Sequence, residues 1–176
     1  MSKMKLGLIA LLIGSLAVGC GIVSGSFTIG YELDGDIHST EATLEMEAID
    51  LTTIEDYNDH KDNIESVDNV ALVGTIYNIG NAPVSGEVWL VDYPDTLYDT
   101  PAEVRANGVR IFVSPVIPTS DSLVIDWEDG LSYIENFSDV QAAVMLGQFV
   151  LYGLGDSDFF DVDIDIDVII TLTAGL

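Results

Sequence analysis

The chain has 176 residues, enough for one domain with a short appendage. Its 30 Asp and Glu stand against only 5 Lys and Arg, a formal charge of −25, which repels phosphate backbones and excludes nucleic-acid binding driven by counterion release. With 48% hydrophobic residues it is not an acidic disordered tail, which lacks the apolar surface to offset chain entropy, and its single cysteine excludes a disulfide framework or a thiolate zinc site.

The first twenty residues read MSKMKLGLIALLIGSLAVGC. Lys3 and Lys5 form a basic start, and Leu6 to Val18 is an apolar run of signal-peptide length. Small residues at Ala17 and Gly19 precede Cys20, with Leu16 one place further back than a lipobox leucine stands. This segment resembles the bacterial lipoprotein signal peptide. The resemblance implies cleavage before Cys20, acylation of its sulfur and of the new amino terminus, and a protein held on the outside of the cell membrane. Gly21 after the cysteine is similar to lipoproteins forwarded to an outer membrane, in a cell that has one. Two alternatives stay open, ordinary secretion and an uncleaved anchor. Extended through Val23, the apolar stretch reaches the lower limit for a membrane span, but Gly7, Gly14, Ser15, Gly19 and Gly21 dilute it.

The expected organisation is a signal peptide at 1–19, a lipidated tether at 20–26 and an acidic domain at 27–176. Loss of Lys3 and Lys5 leaves Lys61, Arg105 and Arg110 against 30 acids, a side-chain charge of −27. The six residues from Gly21 to Ser26 span about 20 Å when extended, so the domain is expected close to the lipid surface.

From Phe27 onward the hydrophobic period is two. Phe27, Ile29, Tyr31 and Leu33 alternate with Thr28, Gly30, Glu32 and Asp34, and Leu44, Met46 and Ala48 alternate with Thr43, Glu45 and Glu47. Each pattern predicts a strand with one face in a core. His38 falls between them as a turn residue. Thr52-x-x-Glu55 matches a capping box and predicts a short helix carrying Tyr57, His60 and Lys61. Runs at 70–79 and 84–93 are apolar on both parities, as central strands are, and Asn78 to Pro83 joins them as a hairpin or a tight connection between sheets. Further strands are expected at 109–117, 123–127, 148–154 and 159–173. A second helix is expected from Ser138-x-x-Gln141 to a C′ glycine at Gly147.

About eight strands and two short helices predict an all-β fold, an antiparallel β-sandwich of immunoglobulin-like or jelly-roll-like kind. The stretch NVALVGTIYNIGNAPVSGEVWLV, Asn69 to Val91, resembles the strand–turn–strand of bacterial cell-surface immunoglobulin-like modules. That resemblance implies an extracytoplasmic module acting in binding or adhesion, without naming its protein or glycan ligand.

Signals for catalysis are absent. There is no G-x-S-x-G elbow, no phosphate-binding glycine motif and no H-E-x-x-H, and His38 and His60 are the only imidazoles. Chance proximity among 30 acids makes a glycosidase-type carboxylate pair a weak expectation. No catalytic residue is expected. Trp89, Trp127, Tyr93, Tyr98 and Tyr133 are candidates for a sugar-binding platform, though Trp in a sandwich is more often core.

The sharpest constellation is near the C-terminus, where Asp156 and Asp158 precede Asp161, Asp163, Asp165 and Asp167. On a strand the last four share one face and Val162, Ile164, Ile166 and Val168 the other. Neighbours about 7 Å apart repel by about 0.6 kcal/mol per pair in water, which a stable core tolerates, so a solvated acidic face is one expectation. The other is calcium, which takes six to eight oxygen ligands. Asp156, Asp158, Asp161 and Asp163 lie at a loop-to-strand corner, and Asp34-Gly35-Asp36 can add ligands where the first and last strands are adjacent. The expected partners are therefore a membrane through the lipid anchor, Ca²⁺ as the one candidate cofactor, and no nucleic acid.

Overall fold

Eight strands form two antiparallel sheets in a computed structural model that describes residues 24–39, 44–93, 97–155 and 160–175, with the backbone alone for 34–39. The strands are β1 (Ser24–Ser39), β2 (Leu44–Asp50), β3 (Ile64–Asn78), β4 (Gly86–Asp92), β5 (Val109–Val113), β6 (Ser122–Ile125), β7 (Gln148–Gly155) and β8 (Phe160–Gly175). One sheet has the order β1-β8-β3-β6 and the other β2-β7-β4-β5. The chain thus pairs first with last, second with seventh, third with sixth and fourth with fifth. That nesting is the jelly roll, and it selects between the two sandwich types the strand count allowed. The connection from β3 to β4 crosses between sheets and is not a hairpin. Within it Val84 exchanges backbone hydrogen bonds with Ile117 at 3.0 and 2.7 Å.

The inward parity of β1 is as the alternation requires: Ile29 is buried, and Phe27, Tyr31 and Leu33 pack beside it. On β8, Val162, Ile166, Ile170 and Leu172 are buried in the space between the sheets. The expected core face of β2 is reversed. Met46 is 42% exposed, Ala48 is exposed, and Ile49 takes the buried position on the other parity. The reason lies in the edge. β2 borders β7 alone, so Glu45 and Glu47 point toward the open side of the sandwich, where the Tyr31 hydroxyl donates to Glu47 Oε1 at 2.7 Å. That hydrogen bond, followed by burial and the Glu47 charge, pushes the Tyr31 pKa up to about 12. His38, expected in a turn, lies within β1 opposite Asp161.

Among the described residues there are four short α-helices, the two expected and two more: α1 (Glu55–His60), α2 (Pro101–Asn107), α3 (Trp127–Tyr133) and α4 (Phe137–Leu146). α1 is not capped by Thr52. Asp50 instead accepts from the Thr52 N–H at 3.0 Å, capping a 3-10 turn at Leu51–Thr53 that leads into the helix. Hydrogen bonds from Thr52 and then Gln148 hold the Asp50 carboxyl below its usual range. α4 begins after Asn136, and Gln141 uses its Nε2 to reach the Val67 carbonyl of β3 at 2.7 Å, not to complete a capping box. Its end is as the sequence requires: Gly147 has φ 80°, and its N–H closes on Ala143 and Val144. The buried Tyr57 of α1 donates to the Val144 carbonyl at 2.7 Å, fastening α1 under this end of α4.

α2 is capped by Thr100, whose Oγ1 accepts from the Glu103 N–H at 3.3 Å and donates to Glu103 Oε2 at 2.8 Å. It covers the outer side of the second sheet, where Val104 packs with Val91, Val150, Tyr152 and Leu154. α3 is capped by Asp126, which accepts from Glu128 and Asp129 N–H. It lies on β3 so closely that a Cβ at Gly130 would overlap the Leu72 carbonyl oxygen.

Candidate functional site

The acidic residues of β8 belong to a ladder that runs onto β1. Asp161, Asp163, Asp165 and Asp167 occupy the outward parity, with Val162, Ile164, Ile166 and Val168 on the inward one. Across the strand pair, Asp167 stands opposite Glu32, Asp165 opposite Asp34, Asp163 opposite Asp36 and Asp161 opposite His38. The condition for Asp34 and Asp36 to join the Asp161–Asp163 group, adjacency of the first and last strands, is therefore met by the backbone register. At the roughly 5 Å typical of directly opposed positions, two carboxylates repel by about 0.8 kcal/mol in water. Alternation in β8 thus costs more than its own sequence indicates.

On the other side of β8 the register sets Val73, Thr75 and Tyr77 of β3 against Asp167, Asp165 and Asp163. The two acidic columns are therefore bordered by a column without charge. Along β1–β8 the charge is also uneven. From Ser24–Gly175 to Tyr31–Val168 the paired residues carry no charged side chain, and from Glu32–Asp167 onward they carry acids on both strands.

Of the residues predicted to hold calcium, Asp161 and Asp163 lie on this ladder, while Asp156 and Asp158 lie outside the described residues. Among the described residues no three or more His, Cys, Asp or Glu side chains converge into a metal-binding group. Cys20 and the signal segment also lie outside the described residues. Ser24 to Ser26, counted with the tether by sequence, pair with Gly175 to Thr173 as the first residues of β1. Among the described residues no helix is long and apolar enough to cross a membrane.

The aromatic candidates are dispersed. Trp89 and Tyr98 pack on the cluster beneath α2, and Tyr133 meets Phe112 edge-on at 5.8 Å. Trp127 and Tyr93 are exposed, at 42% and 46%. His60 stacks against Phe27 with ring centroids 4.8 Å apart.

Sequence reasoning missed one charged cluster, built from residues far apart in the chain. Glu87 of β4 receives Arg105 Nε at 3.1 Å and Arg110 Nη1 at 3.3 Å, and Arg110 Nε also meets Glu135 at 3.0 Å. Burial pushes the Glu87 pKa up, but hydrogen bonds from Trp89 and Arg105 and the Arg105 charge outweigh it and hold the group below its usual range. The third cation, Lys61, donates to Asn58 at 2.9 Å. The cations of the described chain are thus engaged by the chain itself.

No protein-family model matches the chain, and no curated protein is significantly similar to it. Among solved structures it is similar to one of Desmodium yellow mottle tymovirus, at 11% identity and a TM-score of 0.39, over 89% of this chain and 91% of that one. A structure of turnip yellow mosaic virus matches at 10% identity and a TM-score of 0.38, over 89% and 84% of the two chains. One of tobacco necrosis virus matches at 16% identity and a TM-score of 0.31, over 86% and 97%. Likeness at this level carries no functional information, and the fold rests on the strand order.

Proposed function

We propose that this chain is a lipid-anchored protein of the outer cell envelope whose jelly-roll domain serves binding or envelope structure without catalysis. The observation that carries this is the N-terminal segment ending in the sole cysteine, Cys20, four residues before the domain begins at Ser24. Several acyl chains at about 0.8 kcal/mol per buried methylene hold a protein on a membrane nearly permanently. With β1 starting so near the lipidated residue, the uncharged half of the β1–β8 ladder lies toward the tether and the acidic half is displayed farther out. Acids are not confined there, since Asp56 and Asp59 of α1 lie near Phe27 through the neighbouring His60. A surface acidic at both ends suits high salt or abundant divalent cations. Engagement of Arg105 and Arg110 by Glu87 supports a partner other than a polyanion. In a membrane fractionation, the native chain should sediment with membranes and Cys20→Ser should move to the soluble fraction. Unchanged fractionation of Cys20→Ser would refute the anchor.

A second function, calcium-dependent adhesion or carbohydrate binding, is favoured by the register that sets Asp34 and Asp36 opposite Asp165 and Asp163. The two are separated by melting in salts of matched ionic strength. Screening alone predicts that 1 M NaCl, with a Debye length of about 3 Å, raises Tm by about 5 °C. Calcium at millimolar concentration should add several degrees beyond matched NaCl if a defined site exists. An equal response to both salts removes the calcium function and leaves the first.

A further inference from the structure

Between the two sheets the packing leaves a space of about 110 Å³ that is lined by apolar side chains throughout, among them Leu72, Leu90, Ile111, Phe112 and Ile166. A second space of about 80 Å³ lies toward one end of the sandwich, bounded by Gly86, Ser114, Gly153 and Phe160. Ile76, Val88, Phe112 and Ile164 line both, so the inner chamber and the outer one share walls. Gly153 lies on the inward parity of β7, between Leu151 and Gly155. A Cβ built there meets nothing within 4 Å, an independent sign that the outer chamber is open space.

We infer that this two-part chamber is a binding site for a small uncharged hydrocarbon group, either a benzene-sized ring or a short unbranched alkyl segment. Size, polarity and charge each point to that class. Protein interiors rarely leave voids larger than a water molecule, and an apolar cavity of about 150 Å³ stays dry and admits benzene. The inner chamber is of that order, and the outer one extends it for a longer chain. Among the described residues no buried side-chain nitrogen or oxygen lacks a hydrogen-bond partner. Water in the inner chamber therefore finds no polar side chain that needs it, and an apolar guest displaces nothing ordered.

The polar groups stand at the outer end, where Glu45, Ser85, Ser114 and Glu87, the last engaged by Arg105 and Arg110, line the space. A carboxylate at that position and a chain charge of −25 disfavour an anionic headgroup. The guest is accordingly neutral, with any hydroxyl directed outward. The site lies inside the sandwich and does not depend on Cys20 or on the acidic ladder.

The test uses the purified Cys20→Ser chain, which carries no acyl groups, in detergent-free buffer, titrated with benzene, 1-hexanol and hexanoate at pH 7. Benzene near saturation should raise Tm by about 3 °C. 1-Hexanol should bind at least tenfold more tightly than hexanoate. Methyl resonances of Leu72, Val88 and Ile166 should shift with benzene, while those of the exposed Val116 and Val124 stay in place. Val88→Phe, which fills the wall common to both chambers, should weaken benzene binding at least tenfold. If that variant does not fold, the methyl shifts of the Cys20→Ser chain decide alone. No shift at the interior methyls, equal shifts at Val116 and Val124, or equal affinity for 1-hexanol and hexanoate would overturn the site.

Discussion

Replacing Asn78 by Leu should destabilise the domain by about 4 kcal/mol, the sum of several buried polar groups left without partners at roughly 1–3 kcal/mol each. Asn78 is 2% exposed at the end of β3, where the chain turns toward the other sheet. The two hydrogens of its Nδ2 are shared among the carbonyls of Ala82, Ile117 and Pro118 at 2.8, 3.0 and 3.1 Å, and its Oδ1 accepts from the Gly80 N–H at 3.0 Å. One amide thus joins the β3–β4 connection to the segment between β5 and β6. Leu has the same branched four-atom side-chain skeleton, somewhat bulkier, and supplies none of these bonds. Asn78→Asp separates shape from chemistry further, because it sets an acceptor against three acceptors. Its carboxyl would be held protonated in the folded state, raising its pKa above the unfolded value near 4. The variant's stability relative to the native chain is then best below about pH 4 and falls as pH rises toward the raised value. Urea melts at pH 4 and pH 7 check both the size and the sign. A loss below 1 kcal/mol for Asn78→Leu would show that the two connections hold without it.

Gly130→Ala should lower Tm by about 8 °C, corresponding to a loss of about 3 kcal/mol. Helix propensity alone predicts the opposite, since Ala is favoured over Gly by about 1 kcal/mol inside a helix. The difference is the site. A methyl at Gly130 would overlap the Leu72 carbonyl, and Leu72 belongs to β3, held at that point by its pairing with Val168 of β8, with β6 paired just beyond from Gly74 onward. The sheet cannot retreat, so α3 must rise and loosen the edge contact between Tyr133 and Phe112. Thermal melts of Gly130→Ala beside an exposed control, Ser132→Ala, measure this. A raised Tm for Gly130→Ala would mean that the helix adjusts freely.

The strands of this fold are legible wherever one parity is uniformly apolar. β8 is the clearest case, since Val162, Ile164, Ile166 and Val168 alternate with four aspartates and both faces are found where the pattern puts them. β2 misleads because an edge strand is only partly covered. Leu44 packs under the outer cluster with Trp89 and Tyr98, Met46 is left exposed, and glutamates occupy the inward parity. α2 was legible in part: Thr100-Pro101-Ala102-Glu103 carries the cap, but only Val104 is buried, too little for a helical period to show. α3 buries only a glycine, and its first residue, Trp127, reads as the end of a strand. The acidic ladder was half legible. The β8 column is written in consecutive residues, whereas its β1 partners follow from pairing the first strand with the last, which no local pattern encodes. The Glu87 cluster was not legible, because its arginines come from α2 and β5.

The position of β8 has a consequence for when this chain can fold. β8 is made after the other seven described strands, and it lies between β1 and β3, pairing with β1 along all sixteen residues. Until residues 160–175 have left the ribosome, β1 has no neighbour in its sheet and β3 has only the four-residue β6. Contacts of such long sequence separation form slowly. A nascent chain therefore stays without its first sheet until those residues emerge, and the two longest strand pairings, β8 with β1 and β8 with β3, form only then.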